Sequence, residues 1–215
     1  MRFFVKAFLF IVIIPFLSSC FYRNGIDTRE MISRYVIVWT DDGFGSGVQI
    51  GNKYVITAQH VVINCSHWAI INDELIDSVV SVVDSVEDQA LLKGTYCKSK
   101  SPIVVNQHVY LGEIIYWIQP LTFYDSLNVP HLHLYHNTGY INRIYTNHFS
   151  INQAILPGAS GSGVFNTDGE LIGIIEKSVG IDNQIVYGVA AQVSAFETLL
   201  TKIQIANNID SAKIR

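Results

Sequence analysis

Three residues of this chain combine the groups that acyl transfer by serine requires: a hydroxyl to attack, an imidazole to take its proton, and a carboxylate to orient the imidazole. Ser160 lies in Pro157-Gly158-Ala159-Ser160-Gly161-Ser162-Gly163. Closely spaced glycines there permit a tight turn with outward-facing backbone N–H groups and little crowding of the hydroxyl. His60 closes Tyr54-Val55-Ile56-Thr57-Ala58-Gln59-His60, a β-branched run entering a small-residue turn. Asp88 stands in Glu87-Asp88-Gln89-Ala90-Leu91-Leu92, ahead of an apolar run that would tuck its carboxylate beside the imidazole. Ser162 is the alternative nucleophile, but only Ser160 has glycine two positions before it and one after it. Asp84 and Glu87 are the alternatives for the acid. An α/β-hydrolase elbow, Gly-x-Ser-x-Gly, fits neither serine and would place acid and histidine after it.

Residues so far apart need a scaffold to bring them together. From Arg34 onward the chain consists of short β-branched and aromatic runs with turn residues between them. The first set is 35–40, 47–50, 54–57, 68–71, 76–83 and 90–92. The second is 108–111, 114–118, 132–136, 139–145, 149–152, 163–165, 171–176 and 185–190. Short strands at this density predict an all-β sandwich or barrel. Val193, Phe196, Leu199, Leu200 and Ile203 recur at three and four residues and predict a terminal helix. The polar stretch 98–102, ending in Pro102, is the seam between two halves.

Taken in order, these stretches resemble the trypsin-like (chymotrypsin-fold) serine proteases, and within them the HtrA/Deg-like branch. The resemblance rests on Gly45-Ser46-Gly47, Thr57-Ala58-Gln59-His60-Val61-Val62, Asp88-Gln89-Ala90-Leu91-Leu92-Lys93, the Ser160 turn, and Gly169-Glu170-Leu171-Ile172-Gly173-Ile174. It implies two antiparallel six-stranded β-barrels, about 34–99 and 100–190, with a C-terminal α-helix at about 192–205. The domain spans 34–206, and 207–215 is a tail. It further implies an endopeptidase without cofactor or metal, with His60 as base and then acid, Asp88 orienting it, and Ser160 as nucleophile. The N–H groups of Gly158 and Ser160 would form the oxyanion hole. Ala154, six residues before the nucleophile, would lie at the base of the S1 pocket, where the lack of a carboxylate favours aliphatic P1 residues in protein or peptide substrates. The PDZ domains that such relatives often carry are not expected here. The departures are Gln59 where alanine is frequent, Ala159 for Asn or Asp, and Ser162 for Gly. The alternative is a catalytically silent protease-fold binding lipoprotein of the cell envelope.

The N-terminus reads as an export signal. Arg2 and Lys6 precede an apolar run at 7–17, which is shorter than the roughly 20 residues of a membrane span, followed by Ser18, Ser19 and Cys20. Leu17-Ser18-Ser19-Cys20 resembles a bacterial lipobox, which implies that 1–19 is a lipoprotein signal, that Cys20 carries the lipid and that 20–33 is a tether; an ordinary cleaved signal with a chance cysteine and an uncleaved anchor are the alternatives. The domain would then be exported and held to the cell envelope. With Cys20 lipidated, Cys65 and Cys97 remain as a pair in an oxidising compartment, and whether they form a disulfide stays open.

Composition removes other classes. The chain has 215 residues, 49% hydrophobic and 15% charged, the balance of a folded globular protein. A net charge of -4 leaves no basic surplus for nucleic-acid phosphates. His131, His133 and His136 have no carboxylate or cysteine nearby in sequence and read as surface strand residues, not a metal site. Gly43-Phe44-Gly45-Ser46-Gly47 lacks nucleotide-loop spacing and reads as a turn.

Overall fold

The computed structural model describes residues 28–40, 43–50, 54–63, 69–72, 74–77, 81–86, 88–93, 103–124, 126–127, 130–181, 184–196 and 201. The expected signal at 1–19, Cys20, Cys65 and Cys97 lie outside them. In chain order the elements are helix α1 (Thr28–Arg34) and strands β1 (Tyr35–Thr40), β2 (Gly43–Gln49) and β3 (Tyr54–Ala58). Helix α2 (Gln59–Val62) follows, then β4 (Ala69–Asn72), β5 (Glu74–Asp77), β6 (Ser81–Val86) and β7 (Gln89–Lys93). The second half comprises β8 (Ile114–Tyr124), β9 (Pro130–Ile144), β10 (His148–Ile151), β11 (Gly163–Asn166), β12 (Leu171–Ile181) and β13 (Gln184–Gln192). A 3₁₀ turn, Val193–Phe196, comes last.

The second half is a closed six-stranded barrel in the order β10-β13-β12-β11-β8-β9, as the sequence predicts. Closure comes from β9, whose residues 130–140 pair with the whole of β8 and whose far end, 141–144, pairs with β10. Two predicted strands, 132–136 and 139–145, are fused in β9, because the turn-prone Asn137 and Thr138 stay in register opposite Trp117 and Tyr116. Residues 108–111, predicted as a strand, carry no ladder; Tyr110 and Leu111 lie exposed in a turn closed by the Glu113 N–H on the Tyr110 carbonyl.

The first half is a seven-stranded sheet, β5-β4-β1-β2-β3-β7-β6, where a six-stranded barrel is expected. The predicted strand 76–83 divides between β5 and β6, and these become the two outer strands, with no ladder joining them among the described residues. Of the predicted C-terminal helix, the 3₁₀ turn is described, and most of 197–205 lies outside the described residues. The tether assigned to 20–33 is helical in its last part: α1 buries Met31 in the core, and Arg34 pairs with Glu30 one turn back.

Strand period explains how the halves join. Val36, Val38, Val55, Ala90 and Leu92 point to one face of the first sheet, where they meet Val62 of α2. Their neighbours Tyr35, Ile37, Tyr54, Ile56 and Leu91 point to the other. That second face packs against Ile118, Phe165, Leu171 and Ile174 of the barrel, with Met31 and Val193 at its margins. β1, β3 and β7 are therefore buried on both sides, which accounts for their nearly continuous apolar runs. Replacing one fully buried Leu or Ile of this shared core by Ala costs roughly 2–5 kcal/mol. The barrel has its own interior, built on Trp117, Phe149, Ile141 and Ile172.

Candidate active site

The imidazole and the carboxylate are held together by the turn that follows β3 and the turn that precedes β7. These strands are neighbours, with Ala58 opposite Gln89. The chain enters α2 from Ala58, which is extended and offers no side-chain cap. Asp88 supplies the missing acceptors from across the sheet: its carbonyl receives Gln59 N–H at 2.7 Å, and its Oδ1 receives His60 N–H at 2.9 Å. Oδ2 then lies 2.8 Å from His60 Nδ1. This orientation requires Asp88 to adopt φ +56°, the one non-glycine residue with positive φ among those described, and aspartate is among the residue types that tolerate it best.

The pair's proton affinities follow from this geometry. The hydrogen bond to Asp88 raises the His60 imidazole above its ordinary 6.5; burial opposes the rise, the charges of Asp88 and Glu176 add to it, and Lys177 opposes it. Burial alone would push the Asp88 carboxyl up, but the two hydrogen bonds from His60 and the charges of His60 and Lys177 bring it below 3.8. With Nδ1 facing the carboxylate, Nε2 is left to exchange a proton with another group.

The Ser160 turn is clamped from both halves. Gly161 N–H donates to the Ile175 carbonyl (2.7 Å) and Ile175 N–H to the Ser162 carbonyl (2.9 Å), fixing the turn to β12. From β2, Ser46 N–H donates to the Ser160 carbonyl (2.7 Å), and Ser46 Oγ donates to the Gly158 carbonyl (2.6 Å). Gly158 and Gly161 have φ of +90° and +93°. A Cβ at Gly161 would lie 1.9 Å from the Ser46 carbonyl oxygen, and one at Gly158 would lie 2.6 Å from the Phe44 ring. The glycines flanking Ser160 are thus required by both conformation and space.

The two serines of the motif differ in environment. Ser162 is fully buried, its hydroxyl donated to the Ile118 carbonyl at 2.7 Å. Ser160 is partly exposed, and its hydroxyl donates to the Glu176 carbonyl at 2.9 Å instead of to His60. Ser160 and helix α2 meet around Gly45, where a Cβ would lie 2.6 Å from the Val61 side chain and 3.1 Å from the Ser160 carbonyl. Ala154 is exposed between β10 and the serine turn. Its neighbour Ile155 is buried against Gly188 and bonded through its backbone to Ser178 Oγ (3.2 Å from Ile155 N).

Sequence reasoning missed Ser46, Ser178 and Glu176. Ser46 carried a visible signal, lying between two glycines in a quoted motif, and Glu176 carried another, a lone carboxylate in the apolar run of β12. No such signal marked Ser178. Among the described residues there is no group of His, Cys, Asp and Glu arranged to hold a metal ion. His133 is exposed, and His136 stacks on Tyr116 with ring centroids 5.4 Å apart.

Residues 45–174, more than half the chain, match the trypsin-like peptidase domain, and the protein belongs to that family. Solved structures share the fold. The inactive form of Rv3671c from M. tuberculosis H37Rv, crystallised as a serine-to-alanine mutant, superposes with a TM-score of 0.65 at 16% identity, covering 86% of this chain and 93% of that one. A serine endoprotease from Yersinia pestis gives 0.64 at 21% identity, covering 84% of this chain and 65% of that one. A further inactive form of the Rv3671c protease gives 0.61 at 18% identity, covering 80% and 90%. Among curated protein sequences, none matches the chain.

Proposed function

We propose that the protein is a serine endopeptidase that hydrolyses peptide bonds through an acyl-enzyme. The observation that carries this is the His60–Asp88 pair, held by two hydrogen bonds of 2.8 and 2.9 Å, beside a serine turn whose glycines admit no side chain. Asp88 keeps the proton on Nδ1, so Nε2 accepts the Ser160 proton as the hydroxyl attacks the carbonyl and later returns it to the leaving amine. Acylation requires Ser160 Oγ to leave the Glu176 carbonyl for His60 Nε2. The N–H groups of Gly158 and Ser160 stabilise the oxyanion, and loss of one such donor costs about 3 kcal/mol in the transition state.

The HtrA/Deg-like branch is supported by the five sequence stretches, and an aliphatic P1 preference by the absence of a carboxylate at Ala154. A location outside the cytoplasm on a lipid anchor is supported by the lipobox-like stretch ending in Cys20 and the apolar run before it. Among the described residues no helix is long and apolar enough to cross a membrane.

The test is mass spectrometry of the full chain after reaction with a fluorophosphonate, beside His60→Ala. An adduct on Ser160 that is lost in the variant supports the reading. A wild-type protein that takes no adduct yet binds an envelope protein tightly would replace it with the binding-module alternative.

A further inference from the structure

Glu176 is the one charged residue of β12 that faces inward. It is 2% exposed and occupies a β-bulge: Ile175 pairs with Ala190 and Lys177 with Val189, leaving Glu176 as the extra residue between them. A bulge re-aims the backbone and side chain of the residue it adds. Here it sends the two parts of Glu176 to different partners. The carbonyl receives the Ser160 hydroxyl at 2.9 Å. The side chain runs into the protein, where both carboxylate oxygens lie 3.2 Å from His148 Nε2 on β10. Gln89 Nε2, from the residue after Asp88, lies 3.5 Å from Oε1, the outer limit of a hydrogen bond, so His148 is the principal partner.

We propose that Glu176 is a positioning residue, a charged brace behind the catalytic centre that fixes the serine-facing carbonyl and sets the electrostatic field at His60, with His148 holding its charge in place. This rests on the assignment of His60 and Ser160 made above, but its central observable does not require turnover.

A buried carboxylate is retained where a partner compensates its desolvation. His148 is that partner, and it reaches solvent with 29% of its side chain exposed against 3% for Glu176. His148 from β10 contacts Glu176 directly, and the charges of Asp88 from the turn before β7 and of Lys177 from β12 itself reach it; His60 lies within range of its field. Burial raises the Glu176 carboxyl above its ordinary value and Asp88 adds to this, while His148 and Lys177 oppose it. The negative charge of Glu176 favours the protonated imidazole of His60, the species formed as Ser160 attacks. Loss of His148 removes the principal partner of the carboxylate and leaves only Lys177 and the long Gln89 contact, so its proton affinity rises further and its field at His60 weakens. Glu176→Gln and His148→Ala therefore act on the same buried charge.

The experiment is an NMR titration of the His60 imidazole in the wild type, E176Q, H148A and the double variant, with Ser160 labelling by fluorophosphonate followed over the same pH range. Glutamine is isosteric with glutamate and keeps an acceptor for His148, so E176Q preserves the packing. The expected result is a His60 titration moved to lower pH in E176Q, in the same direction by no more in H148A, and no further in the double variant than in E176Q. The acidic limb of the labelling rate moves with it, while the plateau falls about tenfold, which corresponds to about 1.4 kcal/mol of lost imidazolium stabilisation. A His60 titration unmoved in E176Q overturns the inference, even if labelling falls equally at every pH, since that pattern marks a purely structural role. Additive shifts in the double variant overturn the part given to His148. A titration that moves in a protein whose Ser160 takes no label supports the brace and overturns the endopeptidase reading alone.

Discussion

Ser46 Oγ donates to the carbonyl of Gly158 at 2.6 Å, joining residues 112 positions apart in the chain. The same serine donates its N–H to the Ser160 carbonyl, receives Thr57 Oγ1 on its own carbonyl at 2.6 Å, and lies 2.7 Å from the Tyr35 hydroxyl. One buried residue of the first sheet therefore holds both ends of the proposed oxyanion turn of the barrel. Ser46→Ala removes the hold on Gly158 and leaves Tyr35 without this partner. The expected loss of stability is about 1–3 kcal/mol, from the unpaired buried groups. A shift of the oxyanion donors by a fraction of an ångström lowers labelling of Ser160 by roughly ten- to a hundredfold. Urea melts and fluorophosphonate kinetics measure the two effects separately; unchanged labelling would show that the turn holds its shape without Ser46.

Gly161→Ala tests the cradle itself. The positive φ alone costs about 1–3 kcal/mol, and the added Cβ collides with the Ser46 carbonyl, which is backbone and has no way to swing aside. The expected outcome is a urea midpoint well below the wild type at similar m, with labelling of Ser160 abolished. Normal labelling in this variant would contradict the turn geometry.

The His60–Asp88 pair gives a pH signature of defined sign. Asp88 is held below 3.8, so its contribution to stability is present above that value and lost as pH falls through its folded value. His60 is raised above 6.5, so its contribution is complete below 6.5 and lost as pH rises through its folded value. The difference in Tm between wild type and Asp88→Asn is therefore largest between about pH 4 and 6.5 and shrinks on either side. Under the proposed mechanism activity is expected to behave in the opposite sense at the upper edge: His60 acts as base only when neutral, so kcat/KM should rise with pH through a value above 6.5. In Asp88→Asn the expected fall in kcat is about 10⁴, the size of effect in the serine-protease triad generally.

Met31 is 2% exposed in the core shared by the two halves. Met31→Ala is expected to cost about 2–5 kcal/mol in urea melts, the range for buried aliphatic truncation. A chain beginning at residue 35 should be destabilised at least as much, because it also loses the buried Arg34. Wild-type stability in both would mean that α1 packs without contributing.

Cys20 lies outside the described residues, and its proposed lipid is tested in a bacterial host. The wild-type chain is expected to incorporate labelled palmitate and sediment with membranes, whereas Cys20→Ala does neither. Each buried methylene of an acyl chain contributes about 0.8 kcal/mol, so the difference should be nearly all-or-none. Equal partitioning of the two proteins would remove the lipoprotein reading.

Much of the barrel was legible because its strands carry short β-branched runs bounded by turn residues. The errors have identifiable physical sources. A strand such as β9 passes through Asn137 and Thr138 because cross-strand pairing outweighs local turn preference. The first sheet departs from the expected six strands at 76–83, where periodicity alone did not mark the break between β5 and β6. The helix at 28–34 looked like a tether because one buried methionine is too small a pattern to register as an amphipathic face.

The amino-acid sequence alone determined the chemistry on offer, a serine between obligatory glycines, a histidine after a buried strand and an aspartate before another, since these depend on steric and conformational demands a few residues long. Only the tertiary structure decided which carboxylate meets the imidazole and which serine stays open. It also decided what stands behind them: Ser46 under Gly158, and Glu176 between Ser160 and His148. Those contacts depend on strand register and on one β-bulge, relations between segments up to 112 residues apart that no local pattern encodes.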